Sequence, residues 1–172
     1  MPATKLDAAL DLAAHGFPVF PLIPNDKRPL IKGWQSKATV DPLQIRAWWT
    51  TEPQANIGTL TDRLLVVDLD PRNGSAATMQ ELRMIYPDPP DSLASFTAGG
   101  GAHLIFRLPD NVEVRGGTGL LGPGVDVKSH GGYIVAPGST IDGRAYKWVR
   151  SPHDTQLAYP PQWILDLSLI HI

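Results

Sequence analysis

Leu6, Ala9, Leu10, Ala13 and Ala14 recur at helical spacing and Gly16 ends the run, so the pattern predicts an amphipathic helix over Lys5 to His15. A proline-punctuated extended segment follows, Phe17 to Ile23, and Asn25-Asp26-Lys27-Arg28-Pro29 makes a turn. Asp41 before Pro42 has the form of an N-cap with proline at the first helical position, opening a short helix that ends after Trp48 and Trp49. Those two rings are assigned to core packing rather than to stacking on a base.

The unbroken run Leu64-Leu65-Val66-Val67-Asp68-Leu69-Asp70 predicts a buried strand that enters a turn at Pro71-Arg72-Asn73-Gly74. Ser75 is placed as the cap of a helix reaching about Tyr86. Beyond a loop rich in Pro and Asp, Ser92 to Thr97, His103 to Leu108, Gly124 to Lys128 and Tyr133 to Ala136 are short strand candidates between glycine-rich stretches. Helices early and strands late indicate an α+β fold. No repeat, low-complexity tract or internal linker interrupts the chain, so residues 1–172 are taken as one domain.

Composition narrows the chemistry. The chain has no cysteine, which excludes thiolate zinc sites, cysteine nucleophiles and a disulfide scaffold, and favours an intracellular, cytoplasmic setting. No apolar run approaches the ~20 residues that span a bilayer, so no membrane partner is expected. A formal charge of -2 argues against broad backbone-driven wrapping of nucleic acid. Any such contact is expected to be local, and weak without a partner domain.

Asp68 and Asp70 alternate along one strand, so both carboxylates leave the same face, about 6.5 Å apart along the backbone, where they could share divalent cations. A second reading is structural: Asp70 starts the turn, and Asp68 pairs with a basic side chain. Asp126 and Lys128 repeat the alternation between Val125 and Val127, offering either a third carboxylate with a nearby cation or a surface ion pair. His103 follows Gly99-Gly100-Gly101-Ala102. Consecutive glycines such as Gly100 and Gly101 let backbone approach a ligand and expose amide donors, and the imidazole can hydrogen-bond a phosphate. His15, His130, His153 and His171 lack such a setting.

Taken in order, the strand ending in DLD, then TAGGGAH, then GVDVKSHGGYIVAPGS resemble the bifunctional DNA primase/polymerase N-terminal (Prim-Pol) domain of the archaeo-eukaryotic primase superfamily. The resemblance runs from the first helix through Lys27-Arg28-Pro29-Leu30, Gly33-Trp34 and Asn56-Ile57-Gly58 to Tyr146 and Trp148. It implies an RNA-recognition-motif-like catalytic sheet with an added α/β unit, and a DNA primase/DNA polymerase activity. It further implies acidic metal ligands at Asp68, Asp70 and Asp126, and a nucleotide-contacting histidine at His103. Where the family often has Ser before its glycine pair and a basic residue before its histidine, this chain has Gly99 and Ala102.

The implied reaction is attack of a 3′-hydroxyl on the α-phosphate of a nucleoside triphosphate, with Mg²⁺ or Mn²⁺ held by hard carboxylate oxygens. Lys128 would screen the triphosphate, with Lys27 and Lys32 as further contacts to template or phosphate. The expected partners are nucleoside triphosphates, single-stranded DNA template and primer, and a helicase or template-recognition domain in a larger replication protein, such as one of a mobile element. The apolar stretch Trp163 to Ile172 is read as the edge of such a fragment or as an end that is not native.

Two other classes compete. A haloacid-dehalogenase-type phosphatase also has an apolar strand ending in DxD, but expects a parallel sheet and a Thr or Val where this chain has Arg72. A non-catalytic nucleic-acid-binding module would leave the acids as surface groups.

Overall fold

The structure is a computed structural model and describes residues 3–169; Ile170, His171 and Ile172, part of the apolar terminal stretch, lie outside the described residues. In chain order the elements are α1 (Lys5–Ala14), β1 (Val19–Leu22), α2 (Trp34–Lys37), α3 (Pro42–Thr51), β2 (Asn56–Leu60), β3 (Leu64–Leu69), a 3-10 turn (Pro71–Asn73), α4 (Ser75–Ile85), β4 (Leu93–Phe96), β5 (Ala102–Arg107), β6 (Gly116–Gly122), β7 (Val125–Lys128), β8 (Tyr133–Val135), β9 (Thr140–Ile141), β10 (Arg144–Ala145), β11 (Lys147–Arg150) and α5 (Gln162–Leu169). Mixed helices and antiparallel sheets give the expected α+β class. None of the helices among the described residues is long and apolar enough to cross a membrane.

The chain divides into two compact units. One holds the residues up to Leu60 together with Tyr133–Lys147, the other Thr61–Gly132 with the residues from Trp148 onward.

In the first unit α1 is held by a capping box: Thr4 Oγ1 accepts from the Asp7 N–H, and the Asp7 carboxylate accepts from the Thr4 N–H. The Thr4 hydrogen bonds hold the Asp7 carboxyl below the usual carboxylate range. The strands β1, β2 and β8 form an antiparallel sheet with β2 in the middle. Phe20 stacks on Trp34 with ring centroids 5.1 Å apart, and Tyr133 meets both rings edge-on.

The sequence pattern does not announce β2, because Asn56 and Gly58 carry turn signals. Tertiary contacts override them. Asn56 is fully buried, and its amide is saturated: Oδ1 accepts from Lys5 Nζ at 3.2 Å and the Thr140 N–H at 3.0 Å, while Nδ2 donates to Asp26 O at 3.0 Å and Thr140 O at 2.9 Å. One side chain thereby ties α1, the Asp26 turn and β9 to the sheet. Asn56→Ala would leave several buried groups unpaired, so it is expected to cost roughly 2–4 kcal/mol, read as a lower urea midpoint. An unchanged midpoint would remove Asn56 from this role.

The second unit is built on a sheet in the order β11-β4-β5-β3-β7-β6. The strands β4, β5, β3 and β7 are antiparallel to their neighbours within that run. With α4 leading from β3 into β4, this is the strand order of an RNA-recognition-motif-like sheet, as the resemblance implied. The odd-numbered residues of β3, Leu65 and Val67, join Phe106, Val125, Val127 and Leu82 of α4 in one core. Ile164 and Leu165 complete it from α5, a helix where the sequence shows only an apolar terminal stretch. That core occupies one face of the sheet, which leaves the alternating residues of β3, β5 and β7 for the other.

Three further differences have local causes. β6 is the glycine-rich stretch Gly116–Gly122, expected as a spacer; it pairs with β7 through an irregularity between Gly117 and Gly122. β9 and β10 form a hairpin across Asp142-Gly143, both in the left-handed region, a two-residue signal present in the sequence. Ser75, expected as the cap of α4, is instead its first residue; the cap position is Gly74, at φ 95°.

Candidate active site

Asp68 sits near the end of β3, the strand flanked by β5 and β7. Its register partner on β5 is His103, and its register partner on β7 is Asp126. On the far side of His103, Ser95 of β4 is the next partner. Four polar residues, Ser95, His103, Asp68 and Asp126, therefore form a transverse row on one face of the sheet, opposite the apolar core. Directly opposed residues of an antiparallel pair have Cβ atoms about 4.5–5.5 Å apart, and like charges so placed repel. The facing carboxylates of Asp68 and Asp126 thus make a place where positive charge is favourable.

Two side chains, one of them the Lys128 cation, approach Asp68 from the flanking strands. His103 Nε2 lies 3.6 Å from its Oδ1, and Lys128 Nζ lies 3.7 Å from its Oδ2. The ion pair of Lys128 is thus to Asp68 across the strands, and not the one with Asp126 that strand alternation allowed. His103 is buried at 5 % exposure. One oxygen of Asp126 accepts the Gly119 N–H at 2.6 Å, from the irregular part of β6.

Asp70 does not extend the row in the same way. It follows the last residue of β3, and its carboxylate is turned into the 3-10 turn: Oδ1 accepts the Arg72 N–H at 3.0 Å and Oδ2 accepts from Asn73 Nδ2 at 2.8 Å. The turn-forming reading of Asp70 is therefore realised, two residues from Asp68. Each oxygen retains a further lone pair.

The glycine turn before His103 has specific structural reasons. The Gly100 N–H donates to Thr97 O at 3.1 Å and the Gly101 N–H to Thr97 Oγ1 at 3.0 Å. Both amides expected as free donors are thus already engaged. Gly100 remains open above its Cα, at φ +84°, and a Cβ there would have no neighbour within 4 Å, whereas a Cβ on Gly101 would collide with Leu69 O.

Arg72 stands out in the sequence only as part of a turn. Its Nε lies 3.6 Å from Asp70 Oδ1, and its Nη2 lies 3.0 Å from where a Cβ on Gly99 would be. A mostly exposed guanidinium thus rests against the glycine turn, bringing a cation to the motif in which Ala102 supplies none. Nothing in the local sequence signals this, because it depends on β3 and β5 being neighbours. Lys27 and Lys32 belong to the other unit.

The donor chemistry fits a hard divalent cation: carboxylate oxygens of Asp68 and Asp126 on facing strands, with Asp70 one turn entrance away. β3 is antiparallel to both its neighbours, unlike the parallel sheet required by the phosphatase alternative. The family model described as bifunctional DNA primase/polymerase, N-terminal, matches residues 9–163. No match is found among curated proteins.

Proposed function

Because the chain belongs to the bifunctional DNA primase/polymerase N-terminal family, a family of primase/polymerase-type enzymes, we propose that it is a template-directed nucleotidyltransferase whose active site is the Asp126, Asp68 and His103 row. The observation that carries the reading is the register: β7, β3 and β5 present an acid, an acid and a histidine side by side. Asp68, Asp126 and Asp70 would hold the divalent cations, Mg²⁺ or Mn²⁺. When bound, such ions supply charge stabilisation to the entering and leaving oxygens of phosphoryl transfer.

The chain's own residues do the rest. His103 Nε2 donates to an oxygen of the incoming triphosphate, its ring held by burial. Lys128 and Arg72 offset the triphosphate's negative charge, an electrostatic contribution that dominates phosphoryl transfer. Gly100, open above its Cα, leaves room for close approach of the nucleotide, while Gly101 lets β5 pack against β3. Single-stranded DNA template and primer are the remaining substrates, and the formal charge of -2 supports a need for a helicase or template-recognition domain in stable priming.

A template-directed extension assay tests this, using labelled nucleoside triphosphates on primed and unprimed single-stranded DNA with Mg²⁺ or Mn²⁺. Incorporation that follows the template is expected; none under any of these conditions would sink the proposal. His103→Ala is expected to weaken triphosphate binding roughly ten- to hundredfold, the equivalent of a charge-assisted hydrogen bond of about 1.5–3 kcal/mol. Metal affinity measured without nucleotide should stay unchanged. Loss of that affinity would instead assign His103 to the metal shell.

A further inference from the structure

Among the described residues, three buried side-chain polar atoms lack a hydrogen-bond partner: Ser95 Oγ, His103 Nδ1 and Trp163 Nε1. Two of the three belong to residues that face each other directly. Ser95 and His103 are register partners of β4 and β5, on the same face, with Ser95 fully buried and His103 at 5 % exposure. A hydroxyl can donate one hydrogen bond and the unprotonated nitrogen of a neutral imidazole can accept one, so the two orphaned atoms are complementary. Buried groups of this kind are paired in native proteins as a rule.

We propose that Ser95 is a positioning residue for His103: rotation of its side chain about χ1 brings Oγ–H to donate to His103 Nδ1, fixing the ring and its tautomer. The direction follows from the opposite edge of the ring. His103 Nε2 faces the Asp68 carboxylate at 3.6 Å, which favours the hydrogen on Nε2 and leaves Nδ1 as acceptor. Ser95 then stands to His103 as a hydrogen-bonded supporting residue stands to a ligating histidine, choosing which nitrogen carries the hydrogen. With the tautomer set, Nε2–H is the group presented on the site side. The functional consequence rests on the reading of His103 as a nucleotide contact; the hydrogen bond itself does not.

The experiment has two arms. In the first, ¹⁵N spectra of the imidazole are compared between the unsubstituted chain, Ser95→Ala and Ser95→Thr. A neutral Nε2–H tautomer with an Nδ1 that accepts a hydrogen bond is expected, lost in S95A and retained in S95T. An Nδ1 resonance identical in all three, or the Nδ1–H tautomer, overturns the proposal. Thermal melting supports the same arm. Removing a hydroxyl that has no partner would leave S95A as stable or more stable, whereas removing the donor to Nδ1 lowers its melting temperature, an effect that disappears in the His103→Ala background.

In the second arm the affinity for deoxyadenosine triphosphate with Mg²⁺ and no primer is measured. S95A is expected to bind about three- to tenfold more weakly, less than the loss in H103A, with S95T restoring most of it. If H103A weakens binding and S95A does not, the positioning role is overturned. If H103A has no effect, the nucleotide-contact reading fails, and the spectra alone decide whether the hydrogen bond exists.

Discussion

Asp68→Ala is expected to lower template-directed incorporation by about a thousandfold or more while leaving the fold intact, because it removes the central acid of the row, flanked by His103 and Asp126. Its register partners are His103 and Asp126, and Lys128 Nζ reaches it at 3.7 Å. Loss of a group that stabilises charge in the transition state typically costs two to three orders of magnitude, and a shared metal ligand belongs at the upper end of that range. Thermal stability without metal should be retained, since the substitution also removes a carboxylate facing Asp126. Asp126→Ala should behave in the same way. Incorporation at the unsubstituted rate in either variant would take that residue out of the catalytic set, and survival in both would favour a non-catalytic binding module.

Asp70 needs a different substitution, because its carboxylate also caps the Pro71–Asn73 turn. Asp70→Ala would lose roughly 1 kcal/mol of cap energy and so confuse folding with catalysis. Asp70→Asn keeps an acceptor for the Arg72 amide and removes the charge. Loss of incorporation in that variant, at unchanged stability, identifies a ligand; full activity identifies a turn residue.

Gly101→Ala is expected to have the largest effect on stability, of the order of 3–5 kcal/mol, and to disturb the site with it. The added Cβ would collide with Leu69 O and lie 3.2 Å from its carbonyl carbon, backbone atoms of β3 that cannot swing aside. Leu69 and Ala102 are register partners next to the Asp68 and His103 pair, so relief of the clash must part the two strands that carry the site. Gly100→Ala supplies the contrast. Its side chain would meet open space and its penalty is only the left-handed φ of +84°, about 1 kcal/mol. Equal chemical-denaturation midpoints for the two variants would show that the close approach of β5 to β3 is not what position 101 requires.

Within the sequence, the alternation of Leu65, Val67 and Leu69 with Asp68 and Asp70 determined that a strand buries one face and offers acids on the other. The same local rule placed Asp126 and Lys128 on one face of β7, and the glycine turn announced His103. These were legible because they depend on the two-residue period of a strand and on turn residues. The order of the motifs, which carried the family resemblance, was legible too.

What the tertiary structure decided is everything that needs to know which strand lies beside which. Register alone makes Asp126 and His103 neighbours of Asp68, turns Lys128 toward Asp68, and lays Arg72 against the glycine turn. It also makes Ser95, unremarkable in the sequence, the register partner of His103, whose Nδ1 has no hydrogen-bond partner. β2 and β6 were hidden for the same reason: Asn56 is tolerated in a buried strand because distant groups satisfy its amide, and glycines form an edge strand because β7 supplies the ladder. Backbone pairing between segments far apart in the chain leaves no periodic trace in either, since its energy resides in the partner.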